Sequence, residues 1–242
     1  METIKIENLT KKYKDVVAVD SLTLTVHTGE LLSLLGVNGA GKTTTIKMLC
    51  GLTVPTEGDA FLMGHSVCKD ASAVKSIIAV SPQETAIASG LSVFENLELM
   101  AGIHGFSKAK RQEKIQELTE LLGIGSVLNR KAGKLSGGWQ RRLSIAMALI
   151  SEPKILFLDE PTLGLDVLAR RELWETISQL KQQVTIVLTT HYMEEAEALS
   201  DRVAILKSGK LIVCDTPNQI KKKAGTDNFE EAFIRTVKEE RK

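Results

Sequence analysis

Short apolar runs recur along the chain and alternate with stretches of helical spacing. The runs that predict β-strands are residues 4–9, 22–26, 31–35, 60–64, 77–80, 155–159, 184–190, 203–206 and 211–215. Four of them, at 31–35, 77–80, 155–159 and 184–190, are apolar almost throughout, which is typical of parallel strands covered on both faces. The alternation of such strands with helical segments predicts an α/β core with a mainly parallel sheet.

The strand pattern stops between Gln83 and Glu152, and helical spacing replaces it. The apolar residues that recur at helical intervals within 107–122 are Ile115, Leu118, Leu121 and Leu122. This pattern predicts a helical insertion in the α/β core. The predicted division is one domain, 1–242, with a nucleotide-binding core of 1–83 and 151–222, a helical subdomain of 84–150 and a C-terminal helical tail of 223–242.

The C-terminal tail carries a charged helix with one apolar stripe. Phe229, Phe233 and Val237 fall on that stripe. A dimer contact and a solvated chain end both remain open for this helix, and the stripe favours the dimer contact.

Charge, cysteine content and hydropathy argue against several classes of protein. The 31 Lys and Arg residues against 30 Asp and Glu leave a net charge of +1, so the overall charge does not indicate a nucleic-acid binder or a polybasic membrane anchor. Cys50, Cys68 and Cys214 are far apart and form no CxxC pair, which favours a reducing compartment over a disulfide or zinc framework. The chain start lacks the signal-peptide pattern, and no apolar run approaches the ~18 residues of a membrane span. We therefore expect a soluble, cytosolic chain.

A glycine-rich segment, GVNGAGKT, joins the apolar strand at 31–35 to a helix and matches the phosphate-binding pattern GxxxxGK[ST]. Its glycines allow a loop whose amides point inward, and the helix N-terminus adds partial positive charge. Lys42 is predicted to reach the β- and γ-phosphates, Thr43 to offer its hydroxyl to Mg²⁺, and Thr44 to lie near the α-phosphate. The alternative is a glycine-rich turn that binds nothing. The predicted nucleotide-binding residues are Gly36, Val37, Asn38, Gly39, Ala40, Gly41, Lys42, Thr43 and Thr44.

Two carboxylates end the buried strand in ILFLDEPT. Asp159 and Glu160 emerge where open α/β sheets bind ligands. Asp159 is predicted to hold the magnesium ion, and Glu160 to orient and polarise the water that attacks the γ-phosphate. A surface turn with two acids is the alternative. The run VTIVLTTH brings His191 to the same sheet edge, where a phosphate loop nearby favours a catalytic role over a structural hydrogen bond.

Five motifs in order resemble those of the ATPase subunits of ATP-binding cassette (ABC) transporters, over nearly the whole chain. GVNGAGKTT resembles their Walker A motif, LSGGWQ their signature, ILFLDE their Walker B motif, GLD at 164–166 their D-loop, and His191 their switch histidine. The resemblance implies a P-loop NTPase core with a mainly parallel sheet, an antiparallel β subdomain near the N-terminus and a helical insertion. It also implies that Gln83 is a Q-loop glutamine beside the metal, that Tyr13 stacks on adenine, and that Asp166 acts in the D-loop.

The signature segment LSGGWQ places two glycines at the start of a helix, where each costs about 1 kcal/mol relative to alanine. The resemblance implies that Ser136, Gly137 and Gly138, with Gln140, contact ATP bound to another subunit. Without side chains, the two glycines let the helix N-terminus offer its amides to that phosphate. A simple capping turn led by Ser136 is the competing account.

Some positions depart from the usual family pattern. Leu163 and Val167 stand beside the D-loop where other residues are common, and Trp139 is an uncommon occupant of the signature. None of them removes a predicted phosphate, metal or water ligand, so we expect an active ATPase.

The resemblance also implies partners. Two subunits close head to tail around Mg²⁺ and ATP, and the second is another copy of this chain or a homologous ATPase subunit. Separate transmembrane permease subunits would dock near Gln83 and the helical subdomain on the cytoplasmic face of the membrane, and no nucleic acid is expected. SGLSVFENLELMAGIHG and NFEEAFIRT resemble the exporters that pair with ABC-2-type membrane proteins. The alternatives are a soluble ABC ATPase acting on ribosomes or DNA, and a small-molecule kinase, which leaves LSGGWQ and His191 unexplained.

Overall fold

The computed structural model describes residues 1–181 and 183–239, so the last three residues of the predicted tail, 240–242, lie outside the described residues. The strands are β1 (Glu2–Tyr13), β2 (Val16–His27), β3 (Leu31–Leu35), β4 (Glu57–Leu62), β5 (His65–Ser66), β6 (Ile78–Ser81), β7 (Ile155–Asp159), β8 (Thr185–Thr190), β9 (Arg202–Lys207) and β10 (Lys210–Asp215). The α-helices are α1 (Lys42–Leu49), α2 (Ala71–Ile77), α3 (Val93–Ile103), α4 (Lys108–Leu121), α5 (Gly137–Leu149), α6 (Val167–Leu180), α7 (Met193–Leu199), α8 (Pro217–Ala224) and α9 (Phe229–Glu239). None of the described helices combines the length and the apolar character needed to cross a lipid bilayer.

Six strands form the central sheet in the order β10-β9-β3-β8-β7-β6. Neighbouring strands from β9 to β6 pair in parallel, and only β10 pairs antiparallel, with β9. The four most apolar sequence runs lie in β3, β6, β7 and β8, side by side in this sheet. The mainly parallel α/β core predicted from them is therefore confirmed.

A second sheet, antiparallel, contains the N-terminal strands in the order β2-β1-β4-β5. It confirms the antiparallel β subdomain implied by the family resemblance. The predicted strand at 60–64 is displaced, because β4 ends at Leu62. Met63 (φ 49°) and Gly64 (φ 87°) then take left-handed backbone conformations that turn the chain into β5.

The buried residues of the central sheet alternate between two apolar clusters. In β7, Ile155 and Phe157 pack on the side of the antiparallel sheet and α1, whereas Leu156 and Leu158 pack on the opposite side. This alternation follows from the two-residue period of a strand covered on both faces. Because both faces of the sheet are covered, the carboxyl ends of the strands remain the accessible edge.

Helices from residues 84–150 cover one face of the central sheet. Leu97 of α3, Leu118 of α4 and Leu143 of α5 share a cluster with Leu156 and Ile186 of β7 and β8. Each fully buried leucine contributes about 1.5–3 kcal/mol relative to an exposed one. These helices are therefore part of the same hydrophobic core as the sheet.

The C-terminal helix α9 packs on its own chain. Phe229 and Phe233 are 2% and 5% exposed and lie in a cluster with Ala196 of α7 and Ile220 of α8. The stripe is thus covered within its own chain. This arrangement is neither the dimer contact nor the solvated chain end that the sequence left open. The predicted boundary at 222/223 falls inside α8, which ends at Ala224 with Gly225 as its cap.

Candidate functional site

An open cavity of about 820 Å³ lies at the carboxyl edge of the central sheet. Its lining includes residues 38–44, Gln83, Glu160 and His191. The structure therefore brings together side chains from four separate segments that the sequence had marked for one site. Gly36 and Val37 of the predicted loop are not part of the lining; Val37 is 58% exposed, and Gly36 lies against the Leu206 carbonyl.

The loop before α1 depends on glycine at two positions of left-handed backbone. Gly39 has φ 81° and Gly41 has φ 99°. A Cβ at Gly41 would lie 2.5 Å from the Ala18 carbonyl oxygen, whereas a Cβ at Gly39 would meet nothing within 4 Å. The left-handed conformation would strain any other residue at both positions. Of these two glycines, only Gly41 is also required by close packing.

This difference predicts unequal costs for two alanine substitutions. Gly39→Ala is expected to lower the free energy of unfolding by about 1–2 kcal/mol, the cost of a left-handed non-glycine residue. Gly41→Ala adds a backbone clash, and a loss of about 2–5 kcal/mol is expected. Urea unfolding of both variants measures the difference, and equal losses would contradict the close approach of Gly41 to residue 18.

Lys42 is buried beneath the loop, with only 5% of its surface exposed. Its Nζ donates hydrogen bonds to the carbonyl oxygens of Gly36 (2.7 Å) and Val37 (3.4 Å). The same Nζ lies 3.4 Å from Glu160 Oε1. The ammonium group therefore joins the loop to the carboxylate across the cavity.

Thr43 and Asp159 present two oxygen atoms at one point beside the loop. Thr43 Oγ1 donates a hydrogen bond of 3.2 Å to Asp159 Oδ1, which also accepts one from the Thr189 hydroxyl. Carboxylate and hydroxyl oxygens are hard donors of the kind that Mg²⁺ prefers. The donor set therefore fits the magnesium ion that the sequence predicts.

Glu160 is held in a fixed orientation beside His191. Its φ is 49°, a left-handed conformation uncommon for residues other than glycine, and its N–H donates to the carbonyl (3.1 Å) and hydroxyl (3.0 Å) oxygens of Thr189. A hydrogen bond of 2.6 Å joins Glu160 Oε2 to His191 Nδ1. Strained backbone of this kind is concentrated at functional sites.

The signature segment lies away from this cavity. Ser136 precedes α5, and its side chain makes no capping hydrogen bond among the described residues, so the side chain does not cap the helix. A Cβ at Gly138 would lie 3.2 Å from Ala169 Cβ at the start of α6, which gives one reason within the chain for a bare backbone. Residues 136–138 are absent from the lining of the cavity in their own chain.

Two side chains of the predicted site, Gln140 and Asp166, form hydrogen bonds within their own chain. The Gln140 side-chain amide donates to the carbonyl oxygens of Ala132 (3.2 Å) and Leu135 (3.3 Å), so its N–H groups hold its own preceding loop instead of extending towards another copy. Asp166 begins α6, and its Oδ1 accepts a hydrogen bond from Ala169 N (2.9 Å). Both side chains have structural partners within the chain.

The structure does not bring Tyr13 into the cavity. Its ring is 45% exposed, and Lys11 Nζ lies 5.0 Å from the ring centroid. Val16, the hairpin partner of Tyr13, and Val17 line the cavity instead, although they are 63% and 43% exposed. The sequence did not mark these two valines, because exposed apolar residues at the start of a strand are common in any β-hairpin.

Gln83 lies at the cavity with an exposed side chain, and its backbone is fixed by a residue that the sequence did not reveal. Arg141 donates from Nη1 to Pro82 O and from Nη2 to Gln83 O, both at 2.6 Å. Burial lowers the pKa of the Arg141 guanidinium, and the negative charges of Asp159 and Glu195 oppose that shift. Arg141 therefore belongs to the surroundings of the site.

The chain is similar to known sequences over most of its length. The sequence profile described as ABC transporter matches residues 19–163. The chain is 39% identical over 240 residues to the probable multidrug ABC transporter ATP-binding protein YbhF of Escherichia coli (strain K12). That alignment covers 97% of this chain and 41% of YbhF, so the chain spans about two fifths of the length of that relative.

Two solved structures share the fold. The structure of an ATP-binding subunit of an ABC transporter has a TM-score of 0.84 and 28% identity, with 97% of this chain and 99% of that chain covered. The dimeric structure of an ATP-binding cassette in a post-hydrolysis state, bound to ADP and Pi, has a TM-score of 0.78 and 27% identity. It covers 88% of this chain and 98% of that chain.

Proposed function

The chain belongs to the ABC transporter family as an ATP-binding domain, and we propose that it hydrolyses ATP between two such domains to drive transport through separate membrane subunits. One observation carries this proposal. A single cavity is lined by the phosphate loop with Lys42 and Thr43 and by the Glu160 and His191 pair, and Thr43 is hydrogen-bonded to Asp159 beside it. That set supplies a group for each step of phosphoryl transfer to water.

The loop and Lys42 bind the phosphates of ATP. Amides of residues 38–44 at the N-terminus of α1 replace water around the anion, and the helix dipole adds to the attraction. The Lys42 ammonium exchanges its contacts with Gly36 O and Glu160 for phosphate oxygens. Val16 and Val17, exposed at the same cavity, offer an apolar surface to the base.

Thr43 and Asp159 would hold a magnesium ion, with the Gln83 amide oxygen at the same cavity. A bound Mg²⁺ ion supplies neutralisation of the charge on the β- and γ-phosphates. The protein offers few oxygens here, which suits an ion that keeps several waters and binds substrate phosphates directly. The Thr189 hydroxyl fixes the orientation of Asp159.

Glu160 acts on the attacking water. Its carboxylate orients and polarises that water, and departure of Lys42 towards the phosphates frees Oε1 for this task. His191 holds Oε2, so the carboxylate keeps one orientation while the water reacts. The two bonds from Glu160 N–H to Thr189 fix the backbone beneath it.

A second copy completes the site. Residues 136–138 lie outside the cavity of their own chain, at the N-terminus of a 13-residue helix whose first amides have no intrahelical partner. A head-to-tail dimer would place these amides on the γ-phosphate held by the other copy. The dimeric cassette bound to ADP and Pi supports this arrangement for the present chain.

Ser136→Arg tests the dimer. The substitution places a long side chain at the proposed contact with the partner nucleotide, so ATP-dependent dimerisation is expected to weaken at least about tenfold, or about 1.4 kcal/mol. ATP binding to the single chain should remain. Sedimentation velocity with and without ATP measures the result.

Ser107→Arg is the matched control for this experiment. Ser107 also precedes a helix of residues 84–150 and is exposed, but it begins α4 instead of the signature helix. An arginine there should leave ATP-dependent dimerisation unchanged. Equal dimerisation of the Ser136→Arg and Ser107→Arg variants would contradict a role of residues 136–138 at the interface.

Export through a separate membrane subunit is the finer part of the proposal. Its support is the similarity to a probable multidrug ABC transporter protein and the exposed apolar side chains of Leu99 and Ile103 on α3. Such a surface would dock the membrane subunit at the cytoplasmic face of the membrane. Pull-down of this chain from native membranes should recover a membrane permease; recovery of ribosomes or DNA would favour the alternative function.

A further inference from the structure

Arg141 directly follows the LSGGWQ segment on α5, and only 5% of its surface is exposed. Its two terminal nitrogens donate to the carbonyl oxygens of consecutive residues, Pro82 and Gln83, at 2.6 Å each. One turn further along α5, the Ser144 and Ser81 hydroxyls are hydrogen-bonded at 2.9 Å. Two turns of the helix are therefore fastened to the segment where β6 leads into Gln83.

The Arg141 guanidinium fixes the orientation of the backbone at Pro82 and Gln83, which a single hydrogen-bond donor would not do. Its planar fork holds two acceptors at a set spacing, so both the position and the rotation of the 82–83 backbone are defined. The orientation of this backbone sets where the exposed Gln83 side chain enters the cavity. A lysine in the same place supplies the charge without the fork.

Burial of a positive charge between neutral carbonyls needs compensation. Burial lowers the pKa of Arg141, while the charges of Asp159 and Glu195 favour its protonated form. Asp159 is one of the oxygen donors predicted for the metal. The guanidinium that holds Gln83 and the Asp159 carboxylate thus interact electrostatically.

We propose that Arg141 is a positioning residue that sets Gln83 in the nucleotide cavity and joins it to the helix that presents residues 136–138 to a second copy. This proposal rests on the proposed ATPase function. Any shift of Gln83 on nucleotide binding is transmitted through the guanidinium to α5. The same side chain therefore connects the cavity of one copy to the signature that meets the nucleotide of the other.

A double-mutant cycle in the full chain tests the proposal. Arg141→Met is expected to lower kcat for ATP by about tenfold to a hundredfold, as for a misplaced catalytic group, with KM changed by less than about threefold. If Arg141 acts through Gln83, adding Arg141→Met to Gln83→Ala lowers kcat by less than about twofold more. Independent losses that multiply in the double variant would overturn the proposal, as would a wild-type kcat for Arg141→Met.

Two further variants separate positioning from general stability. Ser144→Ala removes a buried hydrogen bond from the same helix and strand end, so it should lower the melting temperature and leave kcat within about twofold of wild type. Arg141→Lys should restore part of kcat. Should Arg141→Met fail to fold, Arg141→Lys enters the cycle in its place, and its smaller loss of kcat should likewise disappear in the Gln83→Ala background.

Amide hydrogen exchange gives a readout that does not need hydrolysis. Without nucleotide, Arg141→Met should raise exchange at the hydrogen-bonded amides of Ala88 and Leu91, which follow the clamp, by at least about tenfold over the Ser144→Ala control, because the clamped backbone is released. Equal exchange in the two variants would overturn the clamp. If the wild-type chain hydrolyses no ATP in any assembly, the proposed function fails, and this measurement still decides the role of Arg141.

Discussion

Glu160→Gln is expected to lower kcat for ATP hydrolysis by about 10²–10⁴-fold, the usual contribution of a positioned general base. The amide keeps the volume of the side chain but loses the charge that polarises the attacking water. Binding should survive, because the phosphate loop and Lys42 are untouched. ATP-bound dimers should therefore accumulate, and steady-state hydrolysis together with sedimentation in ATP measures both effects.

Glu172→Gln serves as the matched control for this substitution. Glu172 lies on α6 and forms an exposed ion pair with Arg142 at 2.9 Å, so its loss should leave kcat unchanged. Full turnover by the Glu160→Gln variant would remove Glu160 from the catalytic role. It would then direct attention to His191, which contacts the same carboxylate.

Lys42→Ala is expected to weaken ATP affinity by about tenfold to a hundredfold, since a hydrogen bond to a charged group contributes about 1.5–3 kcal/mol. The substitution also leaves Glu160 without the ammonium group 3.4 Å away, so the cavity becomes more negative where the phosphates bind. Equilibrium dialysis with labelled ATP measures the affinity.

Lys47→Ala is the control for loss of a lysine from the same helix. Lys47 is exposed in the last turn of α1, away from the phosphate loop. Its removal should leave ATP affinity within about twofold of wild type. An unchanged affinity in Lys42→Ala, with the chain shown to be folded by its thermal transition, would count against the phosphate-loop assignment.

The centre of the candidate site can be located from the sequence because its chemistry is local. The phosphate loop is contiguous, and Asp159, Glu160 and His191 each follow an apolar run that fixes the strand end. Parallel strands then bring these ends to one edge of the sheet without further information.

The surroundings of the site depend on contacts between distant segments. Arg141 meets Pro82 across 59 positions of sequence, and no local pattern marks that partner. The Gln140 amide likewise faces a loop eight residues earlier, in a direction set by the packing of α5. Tyr13 shows the same limit, because hairpin register decides that Val16 and Val17 reach the cavity instead.

The C-terminal helix α9 shows that an apolar stripe can be predicted from the sequence although the surface that covers it cannot. Its stripe of Phe229 and Phe233 is evident from helical spacing, and both residues are buried. The spacing says nothing about what covers the stripe, and the structure shows that α7, α8 and α9 cover one another. Amphipathicity predicts that a face is buried, whereas tertiary folding determines the surface against which it lies.

The shared core of the helices at 84–150 and the central sheet limits how the molecule can be dissected. Leu156, Leu158 and Ile186 would lose part of their apolar cover if those helices were removed, although the strands before and after that segment, β6 and β7, are neighbours in the sheet. A shortened protein that joined β6 directly to β7 would expose a contiguous apolar surface and aggregate. Attempts to express a minimal phosphate-binding fragment of this protein should therefore keep the helices or replace their leucines with an equivalent cover.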